Sequence, residues 1–322
     1  MYTPLGEVTL KTGELMEIGV VFAPDIDHET ELGDFLGHKP DNYKWHVDRC
    51  LTQPLDLLET RFYIGKLSGR LITNIMTTEY NGIGILGHVF TLPEQRRKGA
   101  CKGLMDCQMR DFQDREGRML YLGTGYDSAP YWIYHYFGFR SVYPEAGFMT
   151  YSTAPEFETQ HFARDNALAT KVKLVQWHDW SALTALTGIV DGDYLRSSTY
   201  GLKGPTNFEG GFLYLKQNLE TDPQHHQSRL LQSETGAIVA FLILQIDEEQ
   251  NGQLDLFAHP DFWDQTPKLI AAANLPSGKI VSQTESTAKE RISVLKQQGF
   301  DQLSVETTQE GQQIVNFQYQ RG

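Results

Sequence analysis

The sequence predicts an α/β (α+β) protein of two tandem domains, each with a mixed, mostly antiparallel sheet flanked by helices. The chain has 322 residues, a length typical of two domains. In the first half, an apolar run over 83–92 leads through a short basic turn into a helical pattern formed by Leu104, Met105, Met109 and Phe112. The second half has a similar order of elements and ends in the same helix-Gly-Phe pattern.

Apolar runs and the turns between them predict the elements of the first half. Asn81-Gly82 is a strong signal for a tight turn between two strands. The segment 25–50 mixes helical and turn signals. We expect an antiparallel meander that leads into a strand-helix-strand-helix unit. The predicted strands are 16–22, 61–67, 71–80, 83–92 and 118–123.

The turn between the central strand and its helix has the features of an anion site. Gly99, Ala100 and Cys101 are small, so a ligand can approach the backbone closely. The first N–H groups of a helix have no partner within the helix, and its dipole adds positive charge there. These features are suited to a pyrophosphate. Three cations precede them in the same turn: Arg96, Arg97 and Lys98.

Two motifs resemble the signatures of the GNAT acyltransferase superfamily. Arg96, Gly99 and Cys101 have the spacing of its acetyl-coenzyme A signature, Q/R-x-x-G-x-G/A. Residues 127–139 resemble its second signature, N-x-x-A-x-x-x-Y-x-x-x-G-F. One helix and one strand are predicted between the two motifs, which is the order found in the family.

The sequence departs from these signatures at three positions. Cys101 stands where Gly or Ala is usual, and this side chain crowds a phosphate more. Asp127 replaces Asn, and Pro130 replaces Ala. Proline is accepted in the first turn of a helix, so the helix is expected to begin near Asp127 or Ser128, either of which could cap it.

The resemblance implies acetyl-CoA as co-substrate and no metal. It implies that the pyrophosphate binds at 96–101 and that Asp127 belongs to the coenzyme-binding residues. The pantetheine arm and the thioester carbonyl would contact the backbone of the strand just before the turn. A backbone N–H aimed at that carbonyl would stabilise the developing oxyanion. The matching strand residues are Val89, Phe90 and Thr91.

Tyr134 matches the tyrosine of the second signature and is the candidate general acid. A phenol with a pKa of about 10 stays protonated at neutral pH and can donate to a departing thiolate. The structural alternative is an aromatic core residue on an amphipathic helix.

The general base stays open. Ile85 and Gly87 stand where much of the family has Glu or His on the central strand, and neither accepts a proton. His88 is a candidate, although strand alternation predicts that it points to the opposite face, and a structural histidine is the alternative. A water chain or a group from the second domain would also serve. The remaining candidates are Glu79, Asp127 and His135.

We interpret the chain as a GNAT acyl-CoA-binding catalytic domain over 1–155, a linker near 152–166, and a degenerate, non-catalytic GNAT-like domain over 168–322. The strand ends at Pro93 and Pro260 correspond, and Leu295 stands where the first copy has Tyr134. The alternative is an unrelated α+β domain that ends in a helix and Gly-Phe. Counted from Pro260, the residues at the positions of Arg96, Gly99, Ala100 and Cys101 are Trp263, Thr266, Pro267 and Lys268.

Composition indicates in which cellular compartment the protein acts and which classes of partner it binds. The net charge of −13 argues against a nucleic-acid binder and favours a cationic small-molecule amine over a protein amine. No apolar run is long enough for a membrane helix, and 1–10 lacks the pattern of a signal peptide. We therefore expect a cytoplasmic protein without a membrane partner, and leave a homodimer open. Three unclustered cysteines are read as free thiols: Cys50, Cys101 and Cys107.

These observations predict an N-acyltransferase that moves an acetyl group from acetyl-CoA to an amine by direct attack in a ternary complex. An acyl-CoA-binding sensor or regulatory protein without transfer activity is the first alternative. A structural dimerisation protein is the second.

Overall fold

The computed structural model describes residues 1–164, 169–192, 195–309 and 311–320. The chain forms two compact units. Met1–Phe157 and Trp177–Ser181 make the first unit, and Glu158–Gln176 and Ala182–Gly322 make the second. Each contains a mixed sheet flanked by helices, which confirms the predicted fold class. The end of the predicted linker, 165–166, lies outside the described residues.

The elements of the first unit follow the predicted order, with additional strands at its start and end. Its strands are β1 (Tyr2–Thr9), β2 (Leu15–Phe22), β3 (Glu59–Leu67), β4 (Arg70–Tyr80), β5 (Ile83–Thr91), β6 (Met119–Gly123), β7 (Arg140–Ser141) and β8 (Phe148–Ser152). Its helices are α1 (Glu29–Leu36), α2 (Asp41–Thr52), α3 (Ala100–Asp114) and α4 (Ala129–Tyr136).

The first unit is built on an eight-stranded sheet with the strand order β1-β2-β3-β4-β5-β6-β8-β7. All neighbouring strands are antiparallel except β5 and β6, which are parallel and joined through α3. Helix α3 packs on one face of the sheet through Leu104, Met105 and Phe112, which are buried among side chains of β2 to β6. The connection therefore carries the chain from the end of the central strand straight into the helix that covers it.

The second unit contains a seven-stranded sheet with the strand order β16-β17-β15-β14-β13-β12-β9 and a separate pair, β10-β11. Its strands are β9 (Lys171–Lys173), β10 (Leu195–Ser197), β11 (Leu202–Lys203), β12 (His226–Gln232), β13 (Ile238–Ile246), β14 (Gly252–Ala258), β15 (Lys279–Glu285), β16 (Asp301–Thr307) and β17 (Gln313–Gln320). The later helices of the chain are α5 (Phe157–His161), α6 (Trp180–Gly188), α7 (Glu209–Thr221), α8 (Pro267–Ala271) and α9 (Lys289–Gln297).

The two sheets share one topology over most of their strands. In the second sheet β14 and β15 are the parallel pair. β17 pairs with β15 and β16 pairs with β17, as β8 pairs with β6 and β7 pairs with β8 in the first sheet. The sequence does not predict β1, since most of its side chains are exposed at the sheet edge and no buried face marks it as a strand. After β14 the chain forms a 3-10 segment, Pro260–Gln265, followed by the short α8.

Candidate functional site

A cleft of about 560 Å³ opens where β5 ends, beside the first turn of α3 and one face of α4. Most of the residues that the sequence assigns to coenzyme binding meet here. Those that line the cleft are Val89, Phe90, Thr91, Arg96, Arg97, Gly99, Ala100 and Cys101, together with Tyr134. Lining residues that the sequence did not indicate are Lys11, Gln95, Lys102, Ala129, Pro130 and Ile133.

The cleft lies at the gap between the two parallel strands. β5 pairs with β6 only over Ile83–Ile85, opposite Met119–Tyr121. Farther along, the residues of β5 up to Thr91 are outside this ladder, so their backbone groups on that side are not used by the sheet. An extended ligand can therefore take the place of a neighbouring strand along Val89–Thr91.

Gly99 is the N-cap of α3 and has a φ of +96°. This left-handed conformation is readily adopted only by glycine, so backbone geometry accounts for the residue at this position. A Cβ at Gly99 would meet only Lys11 Cγ at 3.8 Å, so the turn is also open. The N-terminus of this 15-residue helix thus faces the cleft without a side-chain cap.

Four cations line the cleft, and no carboxylate or imidazole does so among its described lining residues. Lys11 comes from the turn between β1 and β2, where its N–H donates to the Lys98 carbonyl at 2.9 Å. Lys102 Nζ lies 4.0 Å from the centre of the Tyr136 ring. In a chain of net charge −13, this concentration of positive charge makes the cleft suited to an anion.

Arg96 and Lys98 use their charges differently. Arg96 Nε donates to the Thr91 carbonyl at 3.1 Å, and its guanidinium lies 5.8 Å from the Phe90 ring centre. Lys98 Nζ instead donates to Gln95 at 3.0 Å, and Lys98 does not line the cleft. Of the three predicted cations, Arg96 and Arg97 therefore belong to the cleft wall.

Cys101 lies in the first turn of α3 and lines the cleft. Burial raises the pKa of its thiol to about 11. The group is therefore a neutral thiol at physiological pH and adds no negative charge beside the helix terminus.

Tyr134 belongs to the core of the first unit and also borders the cleft. Its side chain is buried in the α3-facing core, with its ring centre 6.0 Å from that of Phe139, and it also lines the cleft. Ala129, Pro130 and Ile133 lie on the same face of α4 and complete this wall.

The start of α4 settles the choice between two caps. Ser128 is the N-cap, and its hydroxyl accepts from the N–H of Tyr131. Asp127 has a φ of +57° and accepts from the indole N–H of Trp132 at 2.8 Å. The structure places Asp127 outside the cleft lining.

His88 does not point where strand alternation predicted, because β5 contains a β-bulge. Met76 pairs with Gly87 and Asn74 pairs with Phe90, so two residues, His88 and Val89, face one residue of β4. The extra residue reverses the alternation after it. The expectation that His88 lies on the face opposite Ile85 is therefore wrong.

The bulge turns His88 toward α2. Its ring centre lies 5.2 Å from that of Tyr43 and 6.4 Å from that of His46. Val89 packs instead against the core that α3 covers. His88 is 5% exposed. Its pKa lies well below the usual value, mainly because of burial and to a smaller extent because of the neighbouring side chains His46, Lys39 and His38.

Two further candidates for the base lie outside the cleft lining. Glu79 accepts from Arg115 at 2.7 Å and from the hydroxyl of Thr77 at 2.6 Å, so its carboxylate is engaged in a buried network. His135 packs against the rings of Tyr131 and Trp132. The structure therefore brings neither of them to the cleft.

The corresponding turn of the second unit is filled by its own side chains. Thr266 occupies the N-cap position of α8, as Gly99 does for α3, but it is fully buried and its hydroxyl donates to the Trp263 carbonyl at 2.7 Å. Pro267 follows and has no N–H to offer. This five-residue helix thus lacks the open, cationic N-terminus of α3.

The last helix of each unit ends in the same way. Gly138 and Gly299 have φ values of +94° and +84°, and the following Phe N–H bonds back to the carbonyl of Tyr134 or Leu295 at 3.1 and 3.0 Å. This is the Schellman-type ending that favours glycine. The repeated Gly-Phe of the sequence therefore corresponds to one local structure formed twice.

Asp255 of β14 stands at the same distance before the strand-end proline as His88 does in β5. Its carboxylate accepts from the N–H groups of Ser198 and Thr199 at 3.1 and 2.9 Å and from the hydroxyl of Ser197. In the second unit, a segment of its own chain thus occupies this side of the central strand.

Two general features concern the whole described chain. Among the described residues, no helix combines the length and apolarity that a membrane crossing demands. In the same residues no group of three or more His, Cys, Asp or Glu side chains is arranged to hold a metal ion.

No protein-family model and no curated protein matches this sequence. Among solved structures, an acetyltransferase of the GNAT family from Staphylococcus aureus Mu50 matches with 15% identity and a TM-score of 0.35, covering 42% of this chain and 99% of that chain. A GNAT acetyltransferase from Streptococcus pneumoniae matches with 12% identity and a TM-score of 0.37, over 48% and 100%. A ribosomal-protein-alanine N-acetyltransferase from Brucella melitensis matches with 12% identity and a TM-score of 0.37, over 47% and 99%. GNAT acetyltransferases thus each match about half of this chain.

Proposed function

We propose that the first unit is an N-acyltransferase of the GNAT type, which transfers an acetyl group from acetyl-CoA to an amine in a ternary complex. One observation carries the proposal. The cleft joins the unpaired end of a central strand to a cationic, glycine-capped helix N-terminus and to the wall formed by Tyr134. An acyl-coenzyme A needs these three environments for its thioester arm, its pyrophosphate and its leaving sulfur.

Binding of the donor depends on charge and on backbone geometry. The pyrophosphate would accept from the first N–H groups of α3, with Arg97, Lys102 and Lys11 around it. The pantetheine arm would run beside Val89–Thr91, where β5 has left its ladder with β6. Holding thioester and amine together removes a large part of the entropic barrier to their reaction.

The reaction needs one new bond and two proton movements. The lone pair of the acceptor nitrogen forms a C–N bond to the thioester carbonyl carbon, and a backbone N–H of β5 stabilises the resulting oxyanion. The C–S bond then breaks, and its electron pair goes to sulfur. Tyr134 donates its phenolic proton to that sulfur. The proton that the amine loses passes to a base that we leave unassigned.

Calorimetric titration of the full chain with acetyl-CoA tests the donor site, with Arg97→Ala beside Lys98→Ala. Both variants remove one positive charge from the same turn, but only Arg97 lines the cleft. We expect one site per chain, with affinity about tenfold lower in Arg97→Ala and nearly unchanged in Lys98→Ala, since a charge-assisted hydrogen bond contributes about 1.5 to 3 kcal/mol. Equal losses in both variants would mean that the turn acts only through its overall charge. Absence of binding would remove the proposal.

A sensor that binds acyl-CoA without transferring the acyl group is the second candidate. It is favoured by the absence of a carboxylate or imidazole among the described residues that line the cleft. Release of free coenzyme A thiol in the presence of mixed amines distinguishes the two functions. Tight binding with no thiol release above the rate in buffer would favour the sensor.

A further inference from the structure

Five buried polar atoms without hydrogen-bond partners lie beside the bulge of β5. They are both ring nitrogens of His46, both ring nitrogens of His88 and the side-chain oxygen of Asn74. All three residues are at least nine-tenths buried. Buried polar atoms are nearly always paired in folded proteins, so such a concentration needs an explanation. We refer to these three residues as the bulge cluster.

The bulge cluster is held at the edge of the donor site by the backbone. Asn74 Nδ2 donates to the His88 carbonyl at 3.1 Å, which fixes the bulge across β4 and β5. His88 has a φ of +50°, a conformation that is uncommon for a residue with a side chain and that often occurs at functional sites. The next residues along the strand, Val89 and Phe90, line the cleft.

Phe90 connects the cleft with the surroundings of the bulge cluster. Its ring centre lies 5.2 Å from that of Phe35 in α1 and 4.1 Å from that of His38. Arg96, which lines the cleft, lies on the same ring. An acceptor that approaches the thioester from this side therefore meets His38 and Phe90 before the bulge cluster.

The charges around these imidazoles are positive. Burial, Lys39 and Arg96 lower the pKa of His38, against a smaller opposing effect of a backbone hydrogen bond with Phe35. Besides burial, the groups that lower the pKa of His88 are His46, Lys39 and His38. No carboxylate acts on either ring in these sets.

Two carboxylates of α1 and α2 are already paired. Glu31 binds Lys66 at 2.7 Å, and Asp41 binds Lys44 at 2.6 Å. An alkylammonium ion would therefore find like charge from Lys39 and Arg96 and no free partner in these two carboxylates. A carboxylate would find imidazole N–H donors and a favourable field.

We propose that the acceptor is an amine that carries its own carboxylate, such as an α-amino acid, and that the bulge cluster receives its polar groups. The imidazole N–H groups of His46 and His88 donate to the carboxylate, and the Asn74 oxygen accepts from the amine. This inference rests on the proposed transfer function and narrows its acceptor. It reverses the preference for a purely cationic amine that net charge alone suggested, because the charged groups that act on the imidazoles beside β5, Lys39 and Arg96, are both positive.

Matched acceptors test the inference on the unaltered protein. Each α-amino acid is compared with the amine that lacks only its carboxylate: L-lysine with cadaverine, L-phenylalanine with phenethylamine, and L-alanine with ethylamine. Release of coenzyme A thiol from acetyl-CoA is measured across each pair. We expect kcat/KM at least about tenfold higher for the amino acid in the pair whose side chain the site accepts. Turnover of the decarboxylated amines at equal or higher rates, or of no amino acid at all, would overturn the inference.

Two variants test whether the bulge cluster causes the preference for the amino acid over the decarboxylated amine. His46→Gln is expected to raise KM for the amino acid about tenfold and to reduce the preference within the pair, while KM for acetyl-CoA stays unchanged. His135→Gln, outside the cluster, serves as the control and should change neither value. A preference that survives intact in a folded His46→Gln protein would remove His46 from the site. If acetyl-CoA itself fails to bind, the proposed function fails; if it binds and the wrong member of each pair reacts, only this inference fails.

Discussion

Tyr134 shows how one side chain can belong to a core and to a site at once. Its ring is packed in the core beneath α3, while the residue also borders the cleft. Removal of the hydroxyl alone leaves the ring packing in place, so chemistry and stability can be separated. This separation distinguishes the acid role from the purely structural one that the sequence left open.

Tyr134→Phe should lower kcat about 100-fold or more, since general acid catalysis typically contributes that much, with KM for acetyl-CoA nearly unchanged. The measurement is steady-state thiol release under saturating donor. The denaturation midpoint of the variant should stay close to that of the parent protein. A kcat equal to that of the parent would assign Tyr134 to packing alone.

Gly99 and Gly236 provide a matched pair for testing backbone strain. Both have positive φ, at +96° and +86°, and neither has a close neighbour that a Cβ would clash with. Gly99→Ala and Gly236→Ala should therefore each lose about 1 kcal/mol of stability, measured by denaturant unfolding. Only Gly99→Ala should also weaken acetyl-CoA binding, because Gly99 shapes the helix N-terminus that faces the cleft. Equal donor affinity in the two variants would contradict the assignment of the turn.

At the scale of elements, a buried ion network ties the C-terminal end of α3 to the sheet. Arg115 follows the helix and binds Glu79 of β4 at 2.7 Å and Asp111 of α3 at 2.8 Å. Tyr63 of β3 donates to Asp111, and Arg61 lies 3.6 Å from Glu79. Burial opposes the charge on Arg115, but Glu79 outweighs this effect and raises its pKa. The network fixes the helix whose other end lines the cleft.

Glu79→Gln should destabilise the first unit by about 3 kcal/mol, because it removes the buried carboxylate that Arg115 and Arg61 share. Glu59→Gln is the control, since Glu59 also binds Arg61, at 2.5 Å, but is exposed. It should cost less than about 1 kcal/mol. Denaturant midpoints of the two variants give the comparison. Similar losses would mean that the network is screened by solvent like a surface pair.

The bulge is the element that distinguishes the central strands of the two units. β4 and β5 lose register between Asn74 and Met76, whereas β13 and β14 pair without interruption from Ala240 to Ile246. In the first unit the extra residue leaves His88 facing α2 with unpaired nitrogens. In the second unit the strand keeps its alternation, and Asp255 is saturated by neighbouring donors. A single inserted residue therefore separates the two environments.

At the scale of the whole molecule, stability should fall on acidification. Burial lowers the pKa of His46 to about 3, whereas the unfolded chain has the ordinary value of about 6.5. Between these values the unfolded state binds a proton that the folded state does not, so unfolding becomes easier as the pH falls from 6.5 toward 3. The contribution is about 1.4 kcal/mol for each pH unit.

His46→Gln removes this titration and should give a shallower dependence of unfolding free energy on pH between 4 and 6.5. Carboxylates titrate in both proteins and cancel in the comparison. Chemical denaturation at several pH values, followed by tryptophan fluorescence, measures the two slopes. Parallel slopes would show that His46 is protonated in the folded state or is accessible to solvent there.

The sequence by itself determined where α3 begins and most of the first sheet. Gly99, Ala100 and Cys101 are contiguous and follow the basic turn directly, and α3 begins at Ala100 with Gly99 as its N-cap. Apolar runs and turn residues likewise located the central strand and the repeated helix ending at Gly299. These features depend on local backbone preferences, which neighbouring residues express without help from the rest of the fold.

Only the tertiary structure decided which distant residues join the site. Lys11 reaches the cleft because β1 pairs with β2 at the edge of the sheet, and no local pattern announces that contact. The face of His88 was predicted wrongly, because a bulge arises from the pairing of two strands and cannot be counted from one. Asn74 and His46 meet it for the same reason. Long-range register, rather than residue type, thus determines which side chains surround the bulge of β5.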